Sequence, residues 1–464
     1  MAVDSKHPLY VDNLDRWKLV NDVCDGSQSI KNMGVQYLPV VNACATNEEN
    51  LAYNDSYRQR AVFFEVTKDT LQSHVGLAFS EDPTFKPDGL DFLKKNADGN
   101  GKSIYQLNQL ALEGLLRQGR GGLFVDFPFV TGSMSQAEIE RLNIRPSIVY
   151  YPSLNIINWD KRKAGGVYKN SLIVLHEVAE KRDEQDEFQF KKFNRYRVLR
   201  LEENNVYSIQ VYSDESGSIV ADEKVFPKKK GGAFFDEIPF IPLGSQVNDF
   251  SIDSIPLESL ALMNLAHYRN SAEYENSVFI CGQIQPVISG LSEEWRDHLE
   301  KSGIKLGSFS PLTLPEGGSF QFAQAESNMV AREAMKDKFD YMQALGAKVL
   351  DKTTANKTAT QVNEEAATQH SVLSLCVSNL NEASEYYLKW CAEFEGRGFD
   401  AKFSIKQDFA RGEIGLDELK FYYELVVSGD LSKQTFHEIR TTGKVPEIDR
   451  EKEQARIDSE GGIS

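Results

Sequence analysis

The stretch PLESLALMNLAHYRNSAEYENSVF, Pro256–Phe279, reads as one unbroken helix. Leu257, Leu260, Ala261, Asn264, Leu265, Tyr268 and Ala272 recur at intervals of three and four, and Pro256 takes a first-turn position, where its missing N–H leaves no bond unmade. About 24 residues at 1.5 Å each make a rod on the order of 36 Å long. Polar groups cover much of its surface, so neighbouring copies, rather than one core, are expected to bury it.

Downstream, residues 280–326 are mixed. ICGQIQPVISGL leads to a short helix around Trp295 to Leu299, then to IKLGSFSPLTLPEGGSFQF with strand and turn character. A second helix is predicted from Ser327 to Leu350 and a third from Thr358 to about Phe394. The third carries Val362, Ala366, Leu373, Val377, Leu380, Tyr387 and Cys391 on a seam of near-heptad spacing. The polar connection between them, within GAKVLDKTTANKTAT, holds Lys348, Lys352 and Lys357 against Asp351 alone. In one copy this is a surface connection. Repeated around a ring, it becomes a basic collar facing phosphates.

Upstream, Leu14, Trp17, Val20 and Val23, and again Tyr57, Ala61, Phe64, Leu71 and Val75, keep helical spacing. Asp98-Gly99-Asn100-Gly101 is a turn, and Ser103 caps a helix through Leu115 that stops at Gly119. From Gly122 to Gly244 the pattern turns to strands: LFVDFPF, PSIVYYP, NIINWD, SLIVLHEV, FQFKKF, YRVLRL, VYSIQVYS and PFIPLG. AKFSIKQDF near the end is a further strand, followed by helices around Leu416–Val427 and Lys433–Thr441 and a charged tail from Asp449. The fold class is therefore α+β.

The chain has 464 residues, 41% of them hydrophobic and 11% aromatic, enough for two or three packed units. Its apolar runs fall far short of the roughly 20 residues that span a bilayer, so no membrane segment is expected. The opening MAVDSKHPLYVDNLDRW lacks the basic and apolar runs of a signal peptide, which points to assembly in the host cytoplasm. Cys24, Cys44, Cys281, Cys376 and Cys391 lack C-x-x-C spacing and read as ordinary thiols, neither a disulfide framework nor a zinc site. A formal net charge of −17 excludes a general electrostatic glove for nucleic acid, so any DNA contact must be local.

No Walker A loop, nucleophile elbow, H-E-x-x-H helix or EF-hand loop occurs. Gly119-Arg120-Gly121-Gly122 lies between a helix and a strand, the reverse of the order a phosphate cradle needs. His176 and Glu177 alternate across a strand and so face opposite sides. His7, His74, His267, His298, His370 and His437 are scattered. Glu293-Glu294 and Glu364-Glu365 diverge by about 100° on a helix and read as solvated faces rather than ion ligands. Lys228 to Lys230 before Gly231-Gly232 reads as a solvated hairpin tip. No catalytic, cofactor or metal residue is assigned, and the chain is expected not to be an enzyme.

The order of these parts resembles that of tailed-bacteriophage portal proteins, in a divergent branch otherwise described as a phage domain of unknown function. The stretch that carries it best is Thr358-Ala359-Thr360-Gln361-Val362-Asn363-Glu364-Glu365, similar to the threonine-alanine-threonine-glutamate start of the long helix in many portals, with Gln361 where glutamate is common. Ser428 to Thr435 and Ile448 to Glu453 resemble the family's glycine, serine-threonine turn and charged tail. The resemblance implies a wing at 1–255, a first stem helix at 256–279, a small α/β clip at 280–326 and a second stem helix at 327–350. It further implies a tunnel loop at 351–357, a long kinked helix at 358–396 and a crown at 397–464, with Lys348, Lys352 and Lys357 facing DNA. By the same resemblance the chain forms a homo-oligomeric ring, a dodecamer, at the portal vertex of the virion. The implied partners are double-stranded DNA in the channel, terminase, head-completion and tail adaptor proteins, and the major capsid protein, with no cofactor. The rival readings are another phage structural protein, such as a head-tail adaptor, and a metal-dependent nucleic-acid enzyme.

Overall fold

In the computed structural model two of the N-terminal helices pack against one amphipathic rod, α5 (Ile104–Gln118). Ser103 and Gln106 form a reciprocal capping box at its start, and Gly119, in the left-handed region at φ 68, closes it with its N–H on the Leu115 carbonyl. Ile104, Leu107, Ala111, Leu112, Leu115 and Leu116 are buried. Four helices precede it: α1 (Pro8–Asp25), α2 (Ser27–Met33), α3 (Glu48–Arg60) and α4 (Val66–Ala78). The structure describes residues 3–39, 48–128, 144–164, 166–183, 186–214, 217–303, 314–324, 329–348, 371–407, 416–442 and 450–460.

Beyond Gly119 the chain enters β2 (Arg120–Asp126), the middle of a three-stranded antiparallel sheet with β3 (Ser147–Pro152) on one side and β9 (Phe240–Gly244) on the other. Glycines at 121 and 122 let the Tyr150 and Phe240 rings lie directly on the strand. A Cβ on Gly122 would fall 2.1 Å from Phe240 Cζ. The second sheet is a five-stranded antiparallel meander: β4 (Ile156–Ala164), β5 (Val167–Arg182), β6 (Phe190–Leu201), β7 (Tyr207–Asp214) and β8 (Ile219–Ala221). FQFKKF and YRVLRL, read from sequence as two strands, are one continuous strand, β6. No glycine or proline interrupts them, and Asn194-Arg195 alternates across the pleat instead of turning.

After β9 come α6 (Glu258–Cys281), β10 (Gln285–Ser289), α7 (Glu293–Ser302), β11 (Ser319–Ala323) and α8 (Met329–Lys348), with β10 and β11 paired antiparallel. The helix expected from Thr358 is described from Val372 as α9 (Val372–Glu395). There Ser371, in extended backbone, accepts the Ser374 N–H as an N-cap; residues 358–370 lie outside the described residues. Leu373, Cys376, Val377, Leu380, Tyr387 and Cys391 are buried along α9, which packs against α5, β2 and β9. Asn379 donates to the Gly244 carbonyl (2.7 Å) and Asn108 of α5 to the Tyr387 hydroxyl (3.1 Å). β12 (Lys402–Ser404) pairs with β1 (Thr84–Lys86), bringing Phe403 opposite Phe85.

The chain divides into two units, Met1–Lys406 and Gln407–Ser464. The second holds α10 (Leu416–Ser428), α11 (Lys433–Thr442) and α12 (Arg450–Glu460), the last two tied by Glu453, which accepts the Ser432 N–H (2.7 Å) and the Thr435 hydroxyl (2.6 Å) at the start of α11.

Candidate functional site

The paired helices α6 and α8, with the excursion they bracket, are the structural counterpart of the stretch on which the sequence reading turned. α6 is clamped by the N-terminal helices through side chains spaced along one face. Arg16 of α1 makes a two-pronged ion pair with Glu258 (2.7 Å to each oxygen). Asn264 accepts from the Thr67 N–H and hydroxyl (3.2 and 2.9 Å) and donates to the Phe64 carbonyl (2.8 Å). Ser271 receives the Val62 N–H (3.1 Å) and donates to the Val62 carbonyl (2.7 Å). Further along, Tyr57 donates to Glu273 (2.8 Å) and Arg60 to Asn276 (2.9 Å), with the Arg60 guanidinium 4.1 Å from the Phe279 ring centre.

This arrangement corrects the expectation that neighbouring copies bury α6. Asn264, His267, Ser271 and Asn276 are buried within the chain itself, because the extended segment between α3 and α4 gives its backbone hydrogen bonds to α6 side chains. The burial stops at Asn276. Beyond it Val278, Phe279, Ile280 and Ile284 are exposed, as are Met329 and Val330 where α8 begins and Phe322 on β11.

The helices are antiparallel. Gln324, just before α8, donates to the Cys281 carbonyl at the end of α6 (2.9 Å), and Phe339 packs against Phe64 close to His267. At the other end of α8, Gly346 lies against Thr70 of α4, where an added Cβ would come within 3.3 Å. Burial, aided by Lys338, lowers the His267 pKa. Burial also lowers that of His74 on α4, against the opposing pull of hydrogen bonds with the Thr70 and Gly346 backbone. Both rings are thus held toward the neutral form beside α8.

Between the helices, β10, α7 and β11 form a small α/β piece in which no described residue from 280 to 324 is buried. Ser292 caps α7, and its Trp295 and Leu299 are only half-covered. A two-stranded sheet with one helix is marginal in water by itself.

Lys348 is the last residue of α8. Lys352, Lys357 and the stretch Thr358–Glu365 lie outside the described residues, as does Glu364-Glu365. Glu293 and Glu294 occupy the first turn of α7, where Glu293 faces Arg296 (3.7 Å). His176 and Glu177 have separate partners: His176 meets Asn194 (2.9 Å), while Glu177 joins a half-buried cluster. The tip at Lys228–Gly232 is a hairpin, but Lys229 is not simply solvated, since it pairs with Glu393 (2.8 Å). Cys24 and Cys376 are buried, their thiols pushed up to about 12 by desolvation. Among the described residues no group of three or more His, Cys, Asp or Glu side chains could hold a metal ion, and no helix is long and apolar enough to cross a membrane.

Sequence reading missed two polar features. One is the row Asn264, Ser271 and Asn276, whose signal was polar residues on an otherwise apolar helical face. The other is the cluster joining the sheets: Glu177 accepts from Tyr151, from Arg195 (2.7 Å to Nε) and from Arg197 (3.1 Å), while Arg197 also pairs with Asp126. Burial pushes the Glu177 carboxyl up, but Arg197, Tyr151 and Arg195 together hold it below its ordinary value.

A family model described as a domain of unknown function (DUF4055) matches residues 256–395, a span that opens just before α6 and closes at the end of α9. No curated protein matches the chain. Among solved structures, a chain from the virion of a native gene transfer agent particle is similar at 13% identity and a TM-score of 0.42, over 90% of this chain and 99% of that one. A chain from the neck of the native particle, with C12 symmetry, is similar at 12% identity and a TM-score of 0.42, over 93% of this chain and 99% of that one. A chain from the neck of the empty particle, with C6 symmetry, is similar at 13% identity and a TM-score of 0.41, again over 93% and 99%.

Proposed function

We propose that this chain is a portal-type protomer, a non-catalytic subunit of a ring that conducts double-stranded DNA at one vertex of a virion. The carrying observation is the α6–α8 hairpin. Its root is fixed inside the chain by directional bonds, whereas its far end carries an excursion without a single buried described side chain, rimmed by Val278, Phe279, Ile280, Ile284, Phe322, Met329 and Val330. Apolar surface of that kind at the end of a rigid rod calls for a partner. Copies repeated side by side cover it by a heterologous contact that closes into a ring.

In such a ring Lys348, Lys352 and Lys357 of every copy form the basic collar, and an acidic remainder keeps the duplex from being gripped, since each tight phosphate pair would have to be broken as DNA advances. The excursion is the docking end for terminase and then for head-completion and tail adaptor proteins, the β-rich part faces the capsid shell, and a dodecamer is the proposed ring.

The test is mass photometry and negative-stain class averages of the purified chain beside Phe279→Glu and Val330→Glu. The expected outcome is a ring with an open centre for the parent, and monomers with unchanged circular dichroism for both variants. A parent that stays monomeric across salt and magnesium conditions refutes the ring.

A further inference from the structure

Arg120 stands at the junction of α5, β2 and the five-stranded sheet with 1% of its surface exposed, and none of its three guanidinium nitrogens has a hydrogen-bond partner among the described residues. The rings of Trp159 and Phe250 lie beside it. The Trp159 ring centre lies 3.8 Å from the guanidinium carbon and that of Phe250 5.6 Å, with the two rings nearly parallel (11°). A cation–π contact covers a guanidinium face and leaves the in-plane N–H groups unanswered.

A second unanswered donor sits near it: the Trp17 indole Nε1 is fully buried without a partner among the described residues, and its ring centre is 6.0 Å from the Arg120 guanidinium carbon. The charged and titratable neighbours do not supply the missing acceptor. Asp249 accepts from the Ser251 N–H (2.7 Å) and from the Ser251 hydroxyl, and acts on Arg120 only at a distance. The His7 Nδ1 is used on the Leu9 N–H (3.2 Å). Burial lowers the Arg120 pKa to about 9, which still leaves the side chain charged at neutral pH. A buried cation without a counterion is costly, and buried donors without acceptors call for an ordered water or an ion.

We propose that Arg120 and the Trp17 indole form a buried receptor for one small monovalent anion, with chloride as its natural occupant, which locks the N-terminal helix α1 to the sheets. This is separate from the ring reading and requires no oligomer. The test is thermal unfolding in sodium chloride against sodium gluconate at equal ionic strength. For a dissociation constant on the order of 10 mM, raising chloride from about 10 to about 300 mM lifts the Tm by roughly 2 °C or more. The lift is expected to vanish in Arg120→Met and to shrink in Trp17→Phe, which removes the indole donor but keeps an aromatic ring. Equal Tm values in the two salts for the parent, the result if ordered water fills the site, overturn the proposal, and so does an undiminished lift in both variants. Should Arg120→Met fail to fold, an anomalous bromide peak within hydrogen-bond distance of Arg120 in soaked crystals of the parent supports the receptor, and its absence overturns it.

Discussion

Replacing Glu177 with glutamine removes one charge from the cluster that joins the two sheets while keeping the side chain's shape. The Glu177 and Arg197 side chains are each 15% exposed, Arg195 37%. Removing one partner of a fully buried ion pair costs about 3–5 kcal/mol. Arg197 retains Asp126 and Arg195 can turn toward water, so the expected loss falls below that range, to about 2–3 kcal/mol. The control is Glu180→Gln on the same strand, whose partner Lys192 lies 3.2 Å away with both groups mostly exposed. That change is expected to cost no more than about 0.2–1 kcal/mol. The chain has two units, and a global melt averages over both. Hydrogen exchange read by mass spectrometry on peptides covering 172–178 and 194–200 isolates the junction instead. A loss of about 2–3 kcal/mol accelerates exchange there roughly 30- to 150-fold. A double-mutant cycle with Arg197→Met then shows the two losses to be strongly non-additive. Exchange no faster in Glu177→Gln than in Glu180→Gln, or losses that simply add, refutes the reasoning.

Two further outcomes follow from the packing. His74 and His267 both have folded pKa values below the ordinary 6.5, so the unfolded state binds more protons as pH falls through that value. Their contribution is complete above about pH 6.5 and is lost below it; α8 peptides should therefore lose protection, corrected for intrinsic rates, between about pH 7.5 and pH 5.5, and unchanged protection contradicts the assignment. Gly122→Ala places a methyl group on the Phe240 ring and is expected to cost about 1–3 kcal/mol, partly recovered by Phe240→Leu in the double variant; an unshifted melting temperature for the single change would show that β2 and β9 yield without cost.

What the sequence could show follows from how local each signal is. The Ser103 cap, the Gly119 stop and the apolar seam of α9 are short-range patterns, and each forms where its own residues put it. The split of β6 into two strands was misread because a charged stretch imitates a turn when its cross-strand partners are unknown. In the fold Arg195 and Arg197 meet Glu177, Tyr151 and Asp126, residues separated from them by 18 to 71 positions. The candidate site shows the same limit. Periodicity located α6 within two residues, yet its polar face suggested neighbouring copies because the segment that covers it lies some 200 positions earlier, with Asn264 and Thr67 separated by 197 residues.

The distribution of those polar bonds along α6 bears on what the hairpin is for. Apolar packing alone would let the helix slide by a turn at modest cost, whereas Arg16–Glu258, Thr67–Asn264, Val62–Ser271 and Arg60–Asn276 each fix its register to a different N-terminal residue. Directional bonds spaced along one face specify position more sharply than they add stability. They end where the exposed apolar side chains begin, so the rod is rigid at its root and uncommitted at its tip. On the proposed reading that division is what a ring subunit needs: a stem whose angle is set within each protomer, so that identical copies close at one number, and a tip whose surface is completed only by its neighbours and by the proteins that dock there.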